Sequence, residues 1–380
     1  MIFNRIRKKL AIIGASYLQI PLVEKAKVLG IETICFAWEE GAVCREISDK
    51  YYPISVVEKE KILQICKKER IDGITSIASD VAVPTVAFVA EKLGLVGNSI
   101  KSALYSTNKC LMRNQLFKKG INCPEFWVFS ENDSIDDKIF VNKYPLIVKP
   151  ADRSGSRGVC KVSNLIELNK AIKTAFIESF AKQIVIEKYI DGSEVSVEYI
   201  SWQGKHYFLS ITDKLTSGSP HFVELAHHQP TMLPSSLCDT IRQMTESGLD
   251  ALDIKNGASH SEFLISNKGE VYVTEIGARM GGDFIGSELV QLSTGYDFVK
   301  GVIDIALGQF QIPVIDKKTS AGVWFYTEKT KSVYDHILNK DKYPEIVKAE
   351  LLDEELHPLQ NSADRSGYFI YAGKKRFLIQ

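Results

Sequence analysis

The sequence predicts an α/β and α+β multidomain protein, with a parallel-sheet domain at the N-terminus, a larger central domain and a small C-terminal unit. Three observations support this prediction. The 380 residues exceed the usual length of a single domain. The first hundred residues alternate between short apolar runs and helical patterns, which is typical of a parallel sheet covered by helices. Residues 259–276, by contrast, read as two strands joined by a tight turn, which form an antiparallel hairpin.

The N-terminal alternation can be followed along the chain. Its first apolar run ends in Gly14, but the further glycines of a GxGxxG motif do not follow, so a nicotinamide-binding site is not expected. Short apolar runs predict strands, and apolar residues that recur every three to four positions predict a helix. The elements in order are an apolar run at 10–14, a helix at 20–29, an apolar run at 33–37, a helix at 62–69, a strand at 73–78, a helix at 83–93 and a turn-rich stretch at 94–99.

Composition excludes several classes of protein. The 47 basic and 47 acidic residues leave no net charge, so a nucleic-acid-binding protein that relies on phosphate contacts is not expected. The seven cysteines are scattered and never spaced as CxxC, which favours reduced thiols over a disulfide framework or a zinc site. No apolar run is long enough to span a membrane and the N-terminus lacks a signal-peptide core, so we expect a cytoplasmic protein.

The predicted hairpin carries two acidic residues that face each other. A two-residue turn at Lys268-Gly269 suits it, because glycine tolerates positive φ, and this turn would pair Asn267 with Glu270. Counted outward, the same register sets Glu262 directly opposite Glu275. Like charges that face each other across a strand pair are destabilising unless a cation lies between them. The pattern therefore predicts a site for a hard divalent cation, such as Mg²⁺ with phosphate oxygens completing its shell.

Residues just behind this acid pair argue against the alternative, an ordinary solvated strand end. Arg279 follows four residues after Glu275, and its planar fork suits two oxygens of a carboxylate or phosphate. Gly281 and Gly282 come next and allow a close approach to the backbone. These residues favour a functional site.

A lysine followed by a loop of serines and glycines forms a second signal. Lys149 lies near the end of a strand-like run and would supply a compact positive charge for a phosphate. The glycines allow backbone N–H groups to turn toward an anion, and the serines add hydroxyl donors. For the loop alone, an ordinary flexible hairpin is the alternative. The loop residues concerned are Ser154, Gly155, Ser156 and Gly158.

A third signal lies at Glu187, where an acid leaves a buried strand. The apolar Ile190 follows three residues later, and the backbone at such a position can pair with a flat base. Glu194, seven residues beyond Glu187, can accept hydrogen bonds from sugar hydroxyls. This spacing is a weak signal alone, but its place behind Lys109 and Lys149 in the chain strengthens it.

Taken in order, these blocks resemble the ATP-grasp superfamily, and most of all its carboxylate–amine ligases of the L-amino-acid ligase type. The chain is also similar to the purine-pathway and carbamoyl-phosphate-synthase-like members. Only the ordered combination is specific. The matched positions are Asn108, Lys109, Met112, Arg113, Lys149, Pro150, residues 152–159, Glu187, Ile190, Gly192, Glu194, Asp213, Lys214, His228, Pro230, Glu262, Glu275 and Arg279.

The resemblance covers roughly residues 1–310 and implies a domain organisation. It predicts a Rossmann-like N-terminal domain over 1–100 and a two-lobed ATP-grasp domain over 101–310, with a lid subdomain at about 121–190. Residues 311–380 would form a small C-terminal unit.

The resemblance also implies how ATP would be bound. Lys109 and Lys149 would hold the α- and β-phosphates, and Lys214 would reach the β- and γ-phosphates. The serine and glycine loop would close over the nucleotide, while Glu187 and the backbone near Ile190 would contact the adenine. The residues expected to bind the nucleotide are Lys109, Lys149, Ser154, Gly155, Ser156, Gly158, Glu187, Lys188, Ile190, Glu194 and Lys214.

Three acids have implied roles toward sugar and metal. Glu194 would contact the ribose, and Glu262 and Glu275 would carry Mg²⁺, with Mn²⁺ as the alternative metal. Gly277 stands where many members have an asparagine, so one metal ion would be held by water and phosphate without a third protein ligand.

The implied reaction joins a small-molecule carboxylate to a small-molecule amine. The carboxylate attacks the γ-phosphorus of ATP to give an acyl phosphate, and the amine then displaces phosphate from the carbonyl. We expect Arg279 to hold the acyl phosphate or the carboxylate, and Gly281 and Gly282 to let backbone N–H groups approach the developing oxyanion. His260 would share a face with Glu262 and point toward metal and substrate, with a structural histidine bonded to backbone as an equal alternative.

His227 and His228 are weaker candidates for the acceptor side of the site. If their segment is extended, adjacent side chains point to opposite faces, so the two histidines cannot both face the substrate.

Two other functions fit parts of the pattern. One is a purine-pathway-type enzyme that uses formate or bicarbonate with a nucleotide precursor, and the other is a non-catalytic ATP-binding protein. The metal acids and Arg279 count against the second. The expected partners are small molecules, with neither nucleic acid nor membrane, and a homodimer is one expected assembly.

Overall fold

Three β-sheets organise the part of the chain that the structure describes. The computed structural model describes residues 7–155, 157–219 and 221–379. One four-stranded sheet lies in the N-terminal part, and a second, named the lid sheet after the predicted lid subdomain, follows it. An eight-stranded sheet joins the remaining strands of the described residues.

The N-terminal part is the parallel sheet with helices that the sequence predicts. Its strands pair in parallel throughout, and residues 10–13 of the first strand are fully buried, as expected for a sheet covered on both faces. The strands are β1 (Lys9–Ile13), β2 (Glu32–Ala37), β3 (Lys50–Pro53) and β4 (Gly73–Thr75), in the order β3-β2-β1-β4, and the helices are α1 (Ile20–Val28), α2 (Lys59–Glu69) and α3 (Val83–Leu93).

Two helices lead from this part into the lid. They are α4 (Ile100–Thr107) and α5 (Lys109–Lys118). The lid is an antiparallel sheet in the order β5-β8-β6-β7, with one helix packed on it. Its elements are β5 (Phe126–Ser130), β6 (Leu146–Pro150), β7 (Cys160–Val162), α6 (Leu165–Glu178) and β8 (Gln183–Lys188).

The eight-stranded sheet is antiparallel and runs through the rest of the chain. Its strands are β9 (Gly192–Trp202), β10 (Lys205–Thr216), β11 (Glu224–Gln229), β12 (Gly257–Ser266), β13 (Val271–Gly277), β14 (Ser320–Tyr326), β15 (Ile346–Leu351) and β16 (Gly367–Gly373), in the order β13-β12-β9-β10-β11-β14-β16-β15. The remaining helices are α7 (Ser235–Ala251), a π-helical turn at Ile285–Leu289, α8 (Val290–Thr294), α9 (Phe298–Ala306) and α10 (Val333–Leu338).

The C-terminal strands belong to the same sheet as the strands of the central part of the chain. Strand β14 pairs with β11, and β16 and β15 extend the sheet beyond it. Strands β14, β16 and β15 therefore complete the central sheet from one side, and a domain boundary near residue 310 stays a prediction.

The hairpin β12–β13 sets Glu262 opposite Glu275, as predicted, but the predicted pairing at its turn is wrong by one residue. The Ser266 N–H donates to the Glu270 carbonyl at 2.8 Å, so the loop holds three residues instead of two. Thr274 then forms a bulge in β13, which restores the expected register beyond it. The two differences cancel at the acid pair.

Helices α5 and α7 cover one face of the eight-stranded sheet. Met112 and Leu116 of α5 and Ile241 and Leu249 of α7 belong to one buried apolar cluster with Phe263 of β12. This core leaves the other face of the same strands free to carry polar groups. In the described part of the chain, no helix has both the length and the apolar character needed to cross a membrane.

A close strand contact gives a stability prediction. A Cβ atom at Gly192 would lie 1.9 Å from the Ile265 carbonyl oxygen of β12, which is backbone and cannot rotate away. We expect Gly192→Ala to force β9 and β12 apart and to cost about 1–3 kcal/mol or more of unfolding free energy, measured by chemical denaturation. Ser193→Ala, at the exposed neighbouring residue, is the control. Equal stability of the two variants would contradict the prediction.

Candidate functional site

A cleft of about 600 Å³ lies between the lid sheet and the eight-stranded sheet. This volume is within the range of small-ligand pockets in proteins. Most of the residues that the sequence singles out lie along its wall. Those lining the cleft are Lys109, Lys149, Ser154, Gly155, Glu187, Lys188, Ile190, Glu194, Lys214, His260, Glu262, Glu275 and Arg279.

Two predicted residues are placed differently, and a third is not described. Gly158 adopts a positive φ of 72° and packs against Glu178, so its role in the structure is to let the loop turn. Gly282 lies beside Ala78 of the N-terminal part, at the edge of the site. Ser156 lies outside the described residues.

The lysine of β6 is held by a buried acid of β8. Lys149 Nζ lies 2.6 Å from Glu187 Oε2, and Arg113 Nε lies 2.5 Å from Glu187 Oε1. Burial would raise the pKa of Glu187, but Arg113 and Lys149 keep it below its usual value. Burial lowers the pKa of Lys149, and Glu187 offsets only part of this effect. The Glu187 carboxylate thus orients Lys149, and the adenine contact expected for Glu187 would compete with these ion pairs.

The two facing acids each have a lysine partner. Lys214 Nζ lies 2.8 Å from Glu262 Oε1, and Lys109 Nζ lies 3.1 Å from Glu275 Oε2. Lys214 also contacts Glu194. Burial alone would raise the pKa of Glu262, but Lys214 and His260 hold it well below its usual value. Each of the two acids is therefore paired with the ammonium group of a lysine.

The described residues hold no group of three or more His, Cys, Asp or Glu side chains arranged to bind a metal ion. Glu262 and Glu275 could supply two carboxylate ligands, which is too few for a complete Mg²⁺ shell. A metal ion at this place would need further oxygen ligands from a substrate or from water.

His260 is tied to a buried acid that the sequence analysis missed. Glu198 is fully buried on β9 and contacts His260 Nδ1, while His260 Nε2 lies 3.4 Å from Glu262 Oε1. Burial would lower the pKa of His260, but Glu198 outweighs it and raises the pKa to about 9. The Gly281 N–H donates to Glu198 Oε2 at 3.1 Å. The pairing of β12 with β9 sets His260 opposite Glu198. The two residues are 62 positions apart in the sequence, so no local motif could indicate their contact.

A glycine is required at position 281 because of this pair. A Cβ atom there would lie 2.6 Å from Glu198 Oε1 and 2.7 Å from His260 Nδ1. The Gly281 N–H is already engaged by Glu198, which leaves Gly282 as the glycine proposed to face an oxyanion.

Arg279 is oriented by an acid of the N-terminal part. Arg279 Nε and Nη2 donate to the two oxygens of Asp80 at 2.8 and 2.9 Å. Asp80 begins the short helical turn before α3, and the neighbouring Ala78 N–H donates to the Met280 carbonyl. Burial would raise the pKa of Asp80, but Arg279 keeps it below its usual value. Asp80 was not predicted, because it lies 199 residues from its partner.

The two adjacent histidines face opposite sides of β11, as predicted. His228 Nδ1 lies 2.9 Å from the Tyr371 hydroxyl, and burial lowers the pKa of His228 to about 3. This histidine is a neutral core residue. His227 lies on the face that carries Lys214, with its Nε2 atom 3.5 Å from Asp283 Oδ2.

The loop after Lys149 is anchored at its start and turns on glycine. Lys109 Nζ donates to the Arg153 carbonyl at 2.8 Å, and Arg153 Nε donates to the Glu178 carbonyl at 2.6 Å. Gly155 has a φ of 64°, which favours glycine, and it is exposed. The loop therefore begins at a fixed point, and its residues Ser154 and Gly155 line the cleft.

The Glu198–His260 pair gives a pH prediction. The pKa of His260 is about 9 in the folded protein, against an ordinary value of 6.5. A raised pKa stabilises the fold fully below the ordinary value, and this contribution is lost as pH rises through 9. We expect unfolding free energy to fall by on the order of 3 kcal/mol between pH 6.5 and 9.5 from this group. Glu198→Gln should flatten the decline in denaturant titrations, whereas Glu270→Gln on the exposed turn should preserve it.

Parts of this chain are similar to known proteins. An ATP-grasp domain model matches residues 142–288. A D-alanine–D-alanine ligase of Thermosipho africanus is 28% identical over 241 residues, covering 59% of this chain and 62% of that enzyme. An L-arginine-specific L-amino acid ligase of Bacillus subtilis is 28% identical over 233 residues, covering 60% and 55%. The alignments thus span less than two thirds of each relative.

Solved structures match over nearly the whole chain. An L-amino acid ligase from Bacillus licheniformis superposes with a TM-score of 0.78 at 25% identity, covering 97% of this chain and 94% of that one. A phosphoribosylglycinamide synthetase from Anaerococcus prevotii has a TM-score of 0.77 at 21% identity, covering 97% and 95%, and shows the same fold. The ATP-grasp domain at residues 142–288 and the fold shared along nearly the whole chain agree: the chain belongs to the ATP-grasp superfamily.

Proposed function

We propose that the protein is an ATP-dependent carboxylate–amine ligase that forms an amide or peptide bond through an acyl phosphate, with release of ADP and phosphate. One observation carries this proposal. A single cleft joins three lysines, two facing acids and an oriented arginine, which together suit a nucleotide, its metal ion and a carboxylate. The residues are Lys109, Lys149, Lys214, Glu262, Glu275 and Arg279.

The lysines are placed to exchange partners when a nucleotide binds. Lys109 and Lys214 are both nearly buried and both neutralise acids in this structure. The phosphates of ATP carry more negative charge than those acids and would attract the same lysines. Glu262 and Glu275 would then face each other without their cations, which a divalent metal ion could replace.

Mg²⁺ fits the donor set that remains. Glu262 and Glu275 offer hard oxygen ligands, and phosphate oxygens with water would complete the shell. When bound, Mg²⁺ would neutralise charge on the phosphates during transfer. The protein holds the two acids opposite each other through the hairpin register and the bulge at Thr274.

The substrate carboxylate is proposed to lie at Arg279. Asp80 holds the Nε–Nη2 edge of the guanidinium, which fixes its plane, and Nη1 donates to the Met280 carbonyl at 3.3 Å. A carboxylate held here would be oriented toward the γ-phosphate. Gly282 is proposed to donate its N–H to the tetrahedral oxyanion when an amine attacks.

We propose amino-acid-like substrates because several proteins similar to this chain are ligases of amino acids. Those relatives include a D-alanine–D-alanine ligase and an L-arginine-specific L-amino acid ligase. A screen of ATP-dependent phosphate release over amino acids and purine precursors would test this, followed by mass spectrometry of the product. Release stimulated by pairs of amino acids supports the proposal. Release stimulated by a nucleotide precursor with formate or bicarbonate, or no release at all, would overturn it.

The metal assignment predicts a large kinetic effect. We expect Glu275→Gln to lower ligation turnover by at least about a hundredfold, the scale of a lost charge contact in a transition state. Phosphate release under saturating substrates measures it. Glu270→Gln is the matched control, because Glu270 lies on the exposed turn of the same hairpin. Near-normal turnover of Glu275→Gln would remove this acid from the metal site.

Arg279 should affect the carboxylate more than the nucleotide. Arg279→Lys keeps the charge but loses the planar two-oxygen grip, both on a substrate and on Asp80. We expect KM for the carboxylate to rise about tenfold or more and kcat to fall, while the directly titrated Kd of ATP stays nearly constant. Arg45→Lys, an exposed residue of the N-terminal part, is the control. Wild-type kinetics of Arg279→Lys would exclude a substrate contact.

A further inference from the structure

We propose that the outer edge of β15 joins two copies of this chain, through antiparallel pairing of β15 with the same strand of a second copy. The two-fold axis passes through Ala349, and Lys348 of each copy faces Glu350 of the other. Two eight-stranded sheets thereby form one continuous sheet. No residue of β15 lines the cleft, so this interface does not depend on the proposed ligase function.

The eight-stranded sheet has one covered edge and one open edge. At the covered edge, β13 is bound by the segment that follows α5. The Val273 N–H donates to the Asn122 carbonyl at 3.0 Å, and the Asn122 side chain donates to the Val271 carbonyl at 2.8 Å. Strand β15 forms the other edge, and within residues 7–155, 157–219 and 221–379 it pairs with β16 alone. The outer side of β15 is therefore available to another strand.

The main-chain groups of β15 alternate between β16 and this open side. The Leu352 N–H, one position past β15, donates at 2.9 Å to the carbonyl just before β16. Every second residue of an antiparallel strand bonds to the same neighbour, so Glu350 and Lys348 also bond to β16. Ala349 and Leu351 point their main-chain groups outward, and no described residue hydrogen-bonds to these groups.

The charges of β15 select one register for self-pairing. The three registers that pair most of the strand through its outward groups have their two-fold axes at Lys348, Ala349 or Glu350. An axis at Lys348 sets two lysines opposite each other, and an axis at Glu350 sets two glutamates opposite each other. Like charges directly opposite are destabilising. An axis at Ala349 forms two lysine–glutamate pairs instead.

The two charged side chains have capacity for this contact. With the axis at Ala349, Lys348 and Glu350 form a pair without main-chain hydrogen bonds, in which facing side chains approach most closely. Lys348 Nζ lies 4.0 Å from Glu288 Oε1 with 49% of its side chain exposed. Glu350 Oε2 accepts a hydrogen bond from the Tyr368 hydroxyl at 2.6 Å. Among the described residues, no cationic side chain forms an ion pair with Glu350.

An exposed apolar side chain lies beside each charged pair. Val347 is 54% exposed and precedes Lys348 at a bulge of the strand. With the axis at Ala349, it lies opposite Leu351 of the second copy. Pairing thus also removes apolar surface from water.

The alternative is that Lys348 prevents association, as charged residues on edge strands commonly do. A lone lysine repels any symmetric copy that brings it near itself. Lys348 together with Glu350 repels a copy whose axis lies one residue away and attracts a copy whose axis lies at Ala349. The alternation of charge therefore favours one specific partner strand, which is β15 itself.

Sedimentation equilibrium of the full chain over a range of concentrations tests the interface. We expect a monomer–dimer equilibrium with Kd in the micromolar range, because two strands of 6 residues form a small interface. Lys348→Glu and Glu350→Lys should each raise this Kd by at least about tenfold, since each creates two like-charge pairs. Lys268→Glu, on the exposed turn of another hairpin, is the matched control and should keep the wild-type Kd.

Mixing the two reversed variants tests the register. A Lys348→Glu chain that faces a Glu350→Lys chain regains two pairs of opposite charge, so the mixture should form heterodimers although neither variant dimerises well alone. The double variant Lys348→Glu/Glu350→Lys should dimerise with nearly the wild-type Kd. A fluorescent label on one chain distinguishes heterodimers from homodimers.

Ala349→Pro tests the main-chain part of the interface. Proline is tolerated on an edge strand where the N–H faces solvent, so this variant should fold and remain a monomer. The melting temperature of each variant reports whether it is folded. This variant leaves both charges in place, so it tests the interface even if a charge reversal disturbs the fold.

Three results would overturn the proposal. The first is a wild-type protein that stays monomeric well above micromolar concentrations. The second is a wild-type dimer that persists unchanged in both charge reversals and in Ala349→Pro, which would lie at another surface. The third is a failure of the two reversed variants to combine, which would exclude the Ala349 register. ATP-dependent phosphate release is measured separately, and none of these results bears on the ligase function.

Discussion

Charge neutralisation within a partly buried cleft is the constraint on which the site depends. Carboxylates and cations removed from water are costly unless they are paired, so every ionised side chain of the cleft needs a partner. Glu262 and Glu275 therefore hold lysines in this structure, and Glu187 holds Lys149 and Arg113. A ligand that brings phosphates and a divalent cation can enter by exchanging these partners without leaving a charge unpaired.

The same rule explains how the parts of the chain are joined. The short loop that begins at Arg279 is held by Asp80 on the N-terminal side and by Arg365 on the C-terminal side. Between them, the Gly281 N–H is bound by Glu198 from the central sheet. One loop of five residues is thus fixed by three separate regions of sequence. A small displacement of any of these regions would therefore move the loop at the proposed substrate position.

Local patterns were sufficient to predict much of this arrangement. Parallel strands and helices in the first hundred residues follow from apolar spacing, and the facing acids follow from the hairpin. The turn was misjudged because a bulge at Thr274 compensates for the longer loop, and a bulge leaves no pattern in one sequence. Lys149 and the glycines that follow it lie in a recognisable local pattern, whereas Lys109 and Lys214 are predicted only from the ordered resemblance to the superfamily.

Partners distant in sequence could not be found in the same way. Glu198, Asp80 and Arg365 meet His260, Arg279 and Asp283 across separations that only the assembled sheets define. Glu198 stands among apolar residues in a strand-like run, where a charged residue is unusual. This position was the one signal for Glu198 in the sequence. Its partner required the register of β9 and β12.

The pairing of β11 with β14 ties solubility to the last strands of the chain. Without β14 and β16, the main-chain groups of β11 from Ala226 to Gln229 would form an open sheet edge. The ring of His227 would lose the Phe325 side chain that packs against it, and Trp324 would no longer cover His228. Open edges beside apolar side chains recruit strands from other molecules. The C-terminal strands therefore protect the β11 edge from association, and the neighbouring Arg365 holds Asp283 at the end of the loop that begins at Arg279.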